Sequence, residues 1–313
     1  MTELFLGIDG GQSATKAVIG DARGRILGRG KAGPCNHVKT GDGRAKLERA
    51  VRDSVSAALA EAGSDWQSAH FRAACFGMSG GPADKQAVLE ALIAADAVET
   101  TTDARTALLG ATGGGPGIMV IAGTGSIALA RDADGREARA GGWGYVFGDE
   151  GGAFDLVRQA TRAALRMEEG WGPDTQLRDF LLEAAQCETA NDAMHDLYTD
   201  SWPRSRTAAL APFVTRAAES GDPVAAGILE TAGAELARYA SAARNQLFSP
   251  VETVPVAYVG GVFQSTPVLE SFRRSMRVVP GCAVGPPRFD PDVGALLGAY
   301  RLAGLSPEIE TQA

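Results

Sequence analysis

Leu4-Phe5-Leu6-Gly7-Ile8-Asp9-Gly10-Gly11-Gln12-Ser13, with Ala17-Val18-Ile19 and Asp21-Ala22-Arg23-Gly24-Arg25 just beyond it, decides the fold. An apolar run of strand length enters a glycine turn and a second apolar run leaves it. An Asp-Gly type of turn then sends the chain into Ile26–Arg29. The same order of elements returns later. Ile118–Ala122 is apolar, Gly123-Thr124-Gly125-Ser126 is the turn, Ile127–Ala130 is apolar, and Asp132-Ala133-Asp134-Gly135-Arg136 closes the hairpin. Aligning Ile8 with Ile121 and Asp21 with Asp132 leaves a two-residue difference, which the hairpin loop absorbs. Turns and strands repeated in one order predict a duplicated domain.

Between the copies, Ala45–Ala62 has helical spacing (Leu47, Val51, Val55, Leu59) and a Gly63 stop. Ala73–Met78 reads as a buried strand, Lys85–Ala94 as a helix and Val98–Asp103 as another strand, an alternation that argues for an α/β sheet. From Phe154 to Leu247 the pattern is mostly helical, including Thr207–Ser220 and Pro223–Leu247. Pro255–Val259 is a short strand ending in Gly260-Gly261. Val293–Leu302 is a helix whose small residues, Gly294-Ala295 and Gly298-Ala299, suit close backbone packing. Ser306–Ala313 is expected to be a loose tail.

The chain of 313 residues suits two domains, expected at 1–113 and 114–292, the second with a helical insertion and helix 293–302 able to pack back onto the first. Hydrophobic residues at 45% and charged residues at 22% are the balance of a globular protein. A net charge of −8 leaves no basic face for a nucleic-acid backbone, so no nucleic-acid partner is expected. Without a basic n-region or an apolar stretch of membrane length, a cytoplasmic protein with no membrane partner is expected. Cys35, Cys75, Cys187 and Cys282 are scattered, without metal-ligand spacing. His70 and His195 have no partner pattern and are expected at the surface.

Strand-to-strand turns rich in Gly and Ser/Thr present backbone N–H groups as an anion nest. Gly10-Gly11-Gln12-Ser13 and Gly123-Thr124-Gly125-Ser126 both fit, and in repeated units facing a cleft they would grip a polyphosphate from two sides. Neither has Walker or Rossmann spacing. Asp9 ends a strand just before its turn, where a carboxylate can hold Mg²⁺ through water or merely cap the turn. Asp103 ends the strand Val98–Asp103. It suits a base for an attacking hydroxyl, or an N-cap for a helix over Ala104–Leu109.

The stretch Gly141-Gly142-Trp143-Gly144-Tyr145-Val146-Phe147-Gly148-Asp149-Glu150-Gly151-Gly152 carries a resemblance, together with Ala122-Gly123-Thr124-Gly125-Ser126. So do Asp9-Gly10-Gly11, Asn36-His37, Ser79-Gly80-Gly81, Thr101-Thr102-Asp103-Ala104 and Gly260-Gly261-Val262, in order along nearly the whole chain. The chain resembles the N-acetylglucosamine kinase branch of the BadF/BadG/BcrA/BcrD ATPase family, within the superfamily of actin, the heat-shock chaperone ATPases and the sugar kinases. The resemblance implies two ribonuclease-H-like (actin-like ATPase) α/β domains with an interdomain cleft, ATP and Mg²⁺ as cofactors, and a homodimer. It makes Gly10, Gly11, Gln12 and Ser13 the first phosphate loop, Gly123, Thr124 and Gly125 the second, and Gly260 and Gly261 the adenosine loop. Asp103 becomes the base for the 6-hydroxyl of an amino sugar, most readily N-acetylglucosamine. Asn36, His37, Ser79, Ser126, Gly142, Trp143 and Asp149 line or adjoin the sugar pocket.

Two departures from the family pattern stand out. Gln12-Ser13 replaces the usual Gly-Thr, and Phe263 follows the adenosine glycines, where it is expected to alter the base pocket. Two other functions remain open at this level. One is an iron–sulfur ATPase that activates a dehydratase or reductase, which would need cysteines at a subunit seam. The other is a non-catalytic actin-like sugar sensor.

Overall fold

The computed structural model describes residues 2–11, 13–35, 42–80, 82–199 and 202–310. Gln12, Asn36, His37 and Gly81 therefore lie outside the described residues. The chain divides into two compact units, Met1–Gly115 with Pro287–Ala313, and Pro116–Pro286.

In the first unit, β1 (Leu4–Gly10), β2 (Thr15–Asp21) and β3 (Ile26–Ala32) form an antiparallel meander. After α1 (Gly43–Glu61), β4 (Phe71–Met78) joins β1 in parallel. After α2 (Gln86–Leu92), β5 (Val98–Thr102) joins β4 in parallel and runs directly into α3 (Asp103–Thr112). The second unit repeats the pattern. Its meander is β6 (Gly117–Ala122), β7 (Ser126–Arg131) and β8 (Glu137–Gly141). Helices α4 (Ala153–Glu168), α5 (Leu177–Ala185), α6 (Ala190–Leu197), α7 (Arg204–Ala208), α8 (Pro212–Glu219) and α9 (Pro223–Leu247) follow. Then β9 (Val254–Val259) pairs in parallel with β6, and after α10 (Thr266–Arg277), β10 (Cys282–Gly285) pairs in parallel with β9. Among the described residues the sheet orders are β3-β2-β1-β4-β5 and β10-β9-β6-β7-β8. They are one topology written twice, as expected of a duplication.

The two hairpin-closing turns match in detail. In the first, Asp21 Oδ1 accepts from the amides of Arg23 and Arg25, and Arg25 Nε donates to Oδ2 over 2.8 Å. In the second, Asp132 accepts from the Arg136 amide and from Arg136 Nε over 2.8 and 2.6 Å. Gly24 and Gly135 sit at φ 87 and 84°, which only glycine adopts at no steric cost. The ladders correct the alignment, however. Phe5 faces Gly20 and Gly117 faces Arg131, so the first hairpin is longer by one residue rather than two. Asp9 then corresponds to Ile121.

Helix α1 buries Leu47, Val51, Val55 and Leu59 against one face of the first sheet. The final helix, α11 (Pro291–Leu302), covers the other face, where Val293, Leu296, Ala299 and Tyr300 meet Phe5, Val18, Ala73 and Cys75. Its small residues are obligatory: a Cβ on Gly294 would stand 1.9 Å from the Thr106 carbonyl oxygen. The tail is not loose as far as Glu310, whose amide donates to the Gly24 carbonyl at 3.2 Å.

Three further boundaries differ from the sequence pattern. Pro212 lacks an amide and cannot continue α7, so Thr207–Ser220 splits into two helices. Helix α2 covers only Gln86–Leu92, because Lys85 is its N-cap and Ile93 has already turned extended. Val98–Asp103 stops as a strand at Thr102, since Asp103 has entered α3. Among the described residues no helix is long and apolar enough to cross a membrane.

Candidate active site

In the first unit, adjacent parallel strands β4 and β5 end beside one another and deliver two polar side chains together. Ser79, the first residue after β4, donates from Oγ to Asp103 Oδ2 over 2.5 Å. Asp103 Oδ1 accepts from the Ala104 amide at 2.9 Å. The cap of α3 is Thr102, whose Oγ1 accepts from the Arg105 amide at 3.3 Å. Asp103 is thus the first helical residue and is released from the capping role. Its half-buried carboxylate sits at the positive end of a helix with one oxygen clamped by a hydroxyl.

Asp9, near the end of β1, pairs across the ladders with Lys16 and Gly77. Its pKa is raised to about 6, first by burial and then by the charges of Asp292, Asp103 and Asp290, with Lys16 opposing. Among the described residues no hydrogen bond reaches its carboxylate, so nothing there marks it as a turn cap. In the adjoining turn, Gly11 donates to the Ala14 carbonyl at 3.0 Å and accepts from the Cys35 amide at 3.1 Å. A Cβ on Gly10 would meet Met78 Sδ at 2.3 Å. Ser13 is exposed, and its amide enters no hydrogen bond among the described residues.

The turn of the second unit is built differently. Gly123 donates to the Gly125 carbonyl at 2.9 Å. The carbonyls of Gly123 and Thr124 accept from the amides of Ala153 and Phe154 at 2.8 and 3.1 Å, locking the turn onto the start of α4. The amides of Thr124 and Gly125 enter no hydrogen bond among the described residues, which leaves donors for an anion. Gly260 sits at φ 112° with a virtual Cβ 2.3 Å from the Ala122 carbonyl oxygen, so its loop lies against the end of β6. Gly123, Thr124 and Gly261 together line a cavity of about 560 Å³, with α4, α7 and α8 as its other walls. The expected second phosphate turn and the expected adenosine loop therefore share one pocket. Phe263 does not line it. Its ring is buried against Tyr258 and Phe272, at centroid distances of 5.3 and 5.2 Å, which corrects the expectation that it alters the base pocket.

The glycine-rich stretch 141–152 turns repeatedly in the left-handed region, at Gly141, Gly142, Gly144, Asp149 and Gly151. Asp149 is the one non-glycine among these. Its side chain is buried and forms an ion pair with Arg204 at the start of α7. A Cβ on Gly125 would stand 2.3 Å from Asp149 Oδ2, so the Gly123–Ser126 turn and Asp149 are in contact. Ser126 is buried and donates to the Glu150 carbonyl over 2.6 Å, while its own carbonyl accepts from Gly142. Glu150 in turn accepts from Tyr239 Oη, and burial followed by this contact pushes the Tyr239 phenol well up. Trp143 is 63% exposed, with the Arg139 guanidinium 4.5 Å over its ring.

Arg204, Thr102 and the Ser79–Asp103 contact were not legible as site features. Arg204 meets Asp149 from 55 positions away, a pairing with no local signal. The remaining sequence candidates fall into place simply. His70 is exposed beside Asp96, and His195 is exposed on α6. Cys35 is buried against Thr15 Oγ1 at 2.7 Å, and Cys75 lies buried on β4. Among the described residues no three His, Cys, Asp or Glu side chains gather as a metal site.

The profile of the BadF/BadG/BcrA/BcrD ATPase family matches residues 6–299. The chain is 29% identical over 279 residues to the N-acetylmuramic acid/N-acetylglucosamine kinase of Clostridium acetobutylicum, covering 87% of this chain and 90% of that protein. It is 29% identical over 314 residues to the N-acetyl-D-glucosamine kinase of Dictyostelium discoideum, covering 94% and 97%. The solved structure of a candidate N-acetylglucosamine kinase from Chromobacterium violaceum superposes with a TM-score of 0.72 at 30% identity, covering 96% and 99% of the two chains.

Proposed function

The chain belongs to the BadF/BadG/BcrA/BcrD ATPase family, and on that premise we propose that it is an ATP-dependent sugar kinase acting on the 6-hydroxyl of N-acetylglucosamine. The observation that carries the nucleotide half is the single cavity bounded by Gly123, Thr124 and Gly261. A glycine turn with open amides suits phosphate oxygens, and the adjoining apolar walls suit a base and ribose. The observation that supports the acceptor half is Asp103, held by Ser79 and by its own helix terminus.

In this reading the protein positions groups and stabilises charge, as phosphoryl transfer requires. Asp103 takes the proton of the attacking hydroxyl. Ser79, expected to touch the sugar, instead holds Oδ2 so that the remaining lone pairs of the carboxylate are aimed at the acceptor. Asp149, fixed by Arg204, and Trp143 form the polar and aromatic faces for a hexose. Asp9 would help hold a Mg²⁺ ion, because burial and the charges of Asp292, Asp103 and Asp290 disfavour its carboxylate unless a cation is near. When bound, the ion neutralises charge on the transferring phosphate. The proposal includes a homodimer, which light scattering would report as twice the 32.4 kDa chain mass.

ADP release measured with ATP, Mg²⁺ and a panel of amino sugars tests the reading. N-acetylglucosamine should be turned over fastest, ahead of glucosamine, N-acetylmannosamine and N-acetylmuramic acid, with phosphorus coupled to the C6 protons of the product. Absence of sugar-dependent ADP release across the panel would overturn it.

A further inference from the structure

We infer that Asp155 and Arg158, in the first turns of α4, are a positioning pair for residues 145–151. They hold that segment at both ends, so that Asp149 keeps the orientation in which it meets the acceptor sugar. The inference rests on the reading of Asp149 as a sugar-facing group given above. It starts from the cost of ordering this segment. Gly148 and Gly151 lie within it and Gly144 and Gly152 flank it, so the backbone has much freedom to lose. Asp149 adds a left-handed conformation, φ 63°, which non-glycine residues rarely adopt and which persists only where the surroundings over-determine it. The hydrogen bonds that the segment makes with its own neighbours are local turns. Phe147 and Gly148 donate to the Gly144 carbonyl at 3.2 and 2.8 Å, and Gly152 donates to that of Asp149 at 3.0 Å.

Helix α4 supplies the link between the two ends. Asp155 is buried, and its Oδ2 accepts from the Gly151 amide at 3.1 Å. Its Oδ1 takes the Arg158 guanidinium at 2.6 Å, and Arg158 Nη1 donates to the Tyr145 carbonyl at 2.9 Å. One ion pair thus joins the first residue of the segment to the last, with Asp149 between them. The Tyr145 ring also packs edge-on against Phe154, at a centroid distance of 5.1 Å. The same helix start holds the other turn of the site, because the Ala153 and Phe154 amides donate to the Gly123 and Thr124 carbonyls. The backbone of α4 therefore fixes the turn read as phosphate-binding, while its side chains just beyond fix the segment read as sugar-binding.

A carboxylate at the third helical position that accepts an amide from before the helix is also an ordinary capping device. Asp155, three residues after the N-cap Gly152, has that place. Capping does not account for Arg158. It is a cation in the half of the helix nearer the positive end, where the dipole gives it no support. The bonds it makes among the described residues go to the segment itself and to the carboxylate that holds the segment.

The test compares Arg158→Met, Arg158→Lys and Asp155→Asn in the full chain. Asparagine still accepts from the Gly151 amide but turns an NH₂ group towards Arg158, so it keeps the cap and breaks the pair. Hydrogen exchange, read without nucleotide or sugar, should run at least about 10-fold faster over 145–151 in Arg158→Met and Asp155→Asn, and stay at the parent's rate in β6 and β7. In steady-state kinetics the same two variants should raise the KM of N-acetylglucosamine about 10-fold while that of ATP stays within about 2-fold. Combining them should add little to either alone. Arg158→Lys keeps the charge and should fall between the parent and Arg158→Met. The inference is overturned if Asp155→Asn behaves as the parent, if exchange over 145–151 is unchanged in Arg158→Met, or if the ATP KM rises as much as the sugar KM. Exchange needs no turnover, so a failed kinase assay and a failed positioning pair are separate results.

Discussion

The two halves of this chain are one scaffold finished in two ways. Both have the same five-strand order, and both close their first hairpin with an Asp-capped turn carrying an Arg four residues on. They part at the ends of the strands. In the first half Asp9 lies near the end of β1 and β5 hands over to Asp103, and the charges of Asp292, Asp103 and Asp290 all bear on Asp9. In the second half the position corresponding to Asp9 is Ile121, and the turn beyond offers open amides. Duplication thus conserved what builds the sheet and diverged where the sheet meets solvent. One copy is fitted to attract cations, the other to receive anions.

The strongest test of that division removes the first half's charge. Asp103→Asn should lower turnover by on the order of 10²–10⁴ while leaving the sugar KM within a few-fold, as loss of a general base does. Steady-state kinetics showing turnover like the parent's would strip Asp103 of its role.

The second half should instead be most sensitive at its backbone. Gly260→Ala meets both a φ of 112° and a carbonyl 2.3 Å away, and should destabilise by about 2–3 kcal/mol. Gly261→Ala meets open space and should stay within about 0.5 kcal/mol of the parent. Urea denaturation of both variants compares them directly, and equal midpoints would break the argument that this loop is wedged against β6.

A smaller effect separates positioning from binding in the first half. Ser79→Ala should reduce turnover about 10-fold with the sugar KM nearly unchanged, because Asp103 loses the hydroxyl that holds its Oδ2. A change in sugar KM alone would return Ser79 to the sugar contact that the family resemblance implies.

The smallest effect sharpens the likeness of the halves. Burial works to raise the carboxyls of Asp21 and Asp132, but their bonds to Arg25 and Arg136 and to turn amides hold both below the ordinary range. A carboxyl whose pKa falls on folding stabilises the native state above its unfolded pKa, and that stability fades as pH drops through the folded value. Asp21→Asn and Asp132→Asn should therefore each melt a few degrees below the parent at pH 7, within about 2 °C of each other. The gap should close below about pH 4. Thermal scans across pH that separate the two variants widely would show that the turns match in shape but not in strength.

Much of this was legible in the residues. Strand–turn–strand order, the repeated Asp-x-x-Gly-Arg turns and the helical spacing of α1 are local patterns, and local patterns survive folding because backbone geometry enforces them. The glycines of the second turn and Asp103 were likewise named from neighbouring residues, whereas Gly260 and Gly261 entered through the family resemblance. The register of the duplication was misjudged by one residue, since apolar positions slide along a strand without penalty until the ladder pairs them. The expectation for Phe263 failed for a related reason. An aromatic beside a glycine loop suits a ligand pocket and a core equally well, and only packing against Tyr258 and Phe272 settles which.

The sequence by itself determined that the chain is a doubled α/β unit with glycine turns at strand ends and a carboxylate poised after β5. Only the tertiary structure decided which side chains hold one another. Ser79 is fixed to Asp103, Arg204 to Asp149, and α11 to the back of the first sheet. The physical reason is distance along the chain. Hydrogen-bond periodicity and turn conformations are properties of a few consecutive residues, whereas ion pairs and cavity walls join residues whose separation in sequence carries no information about their separation in space.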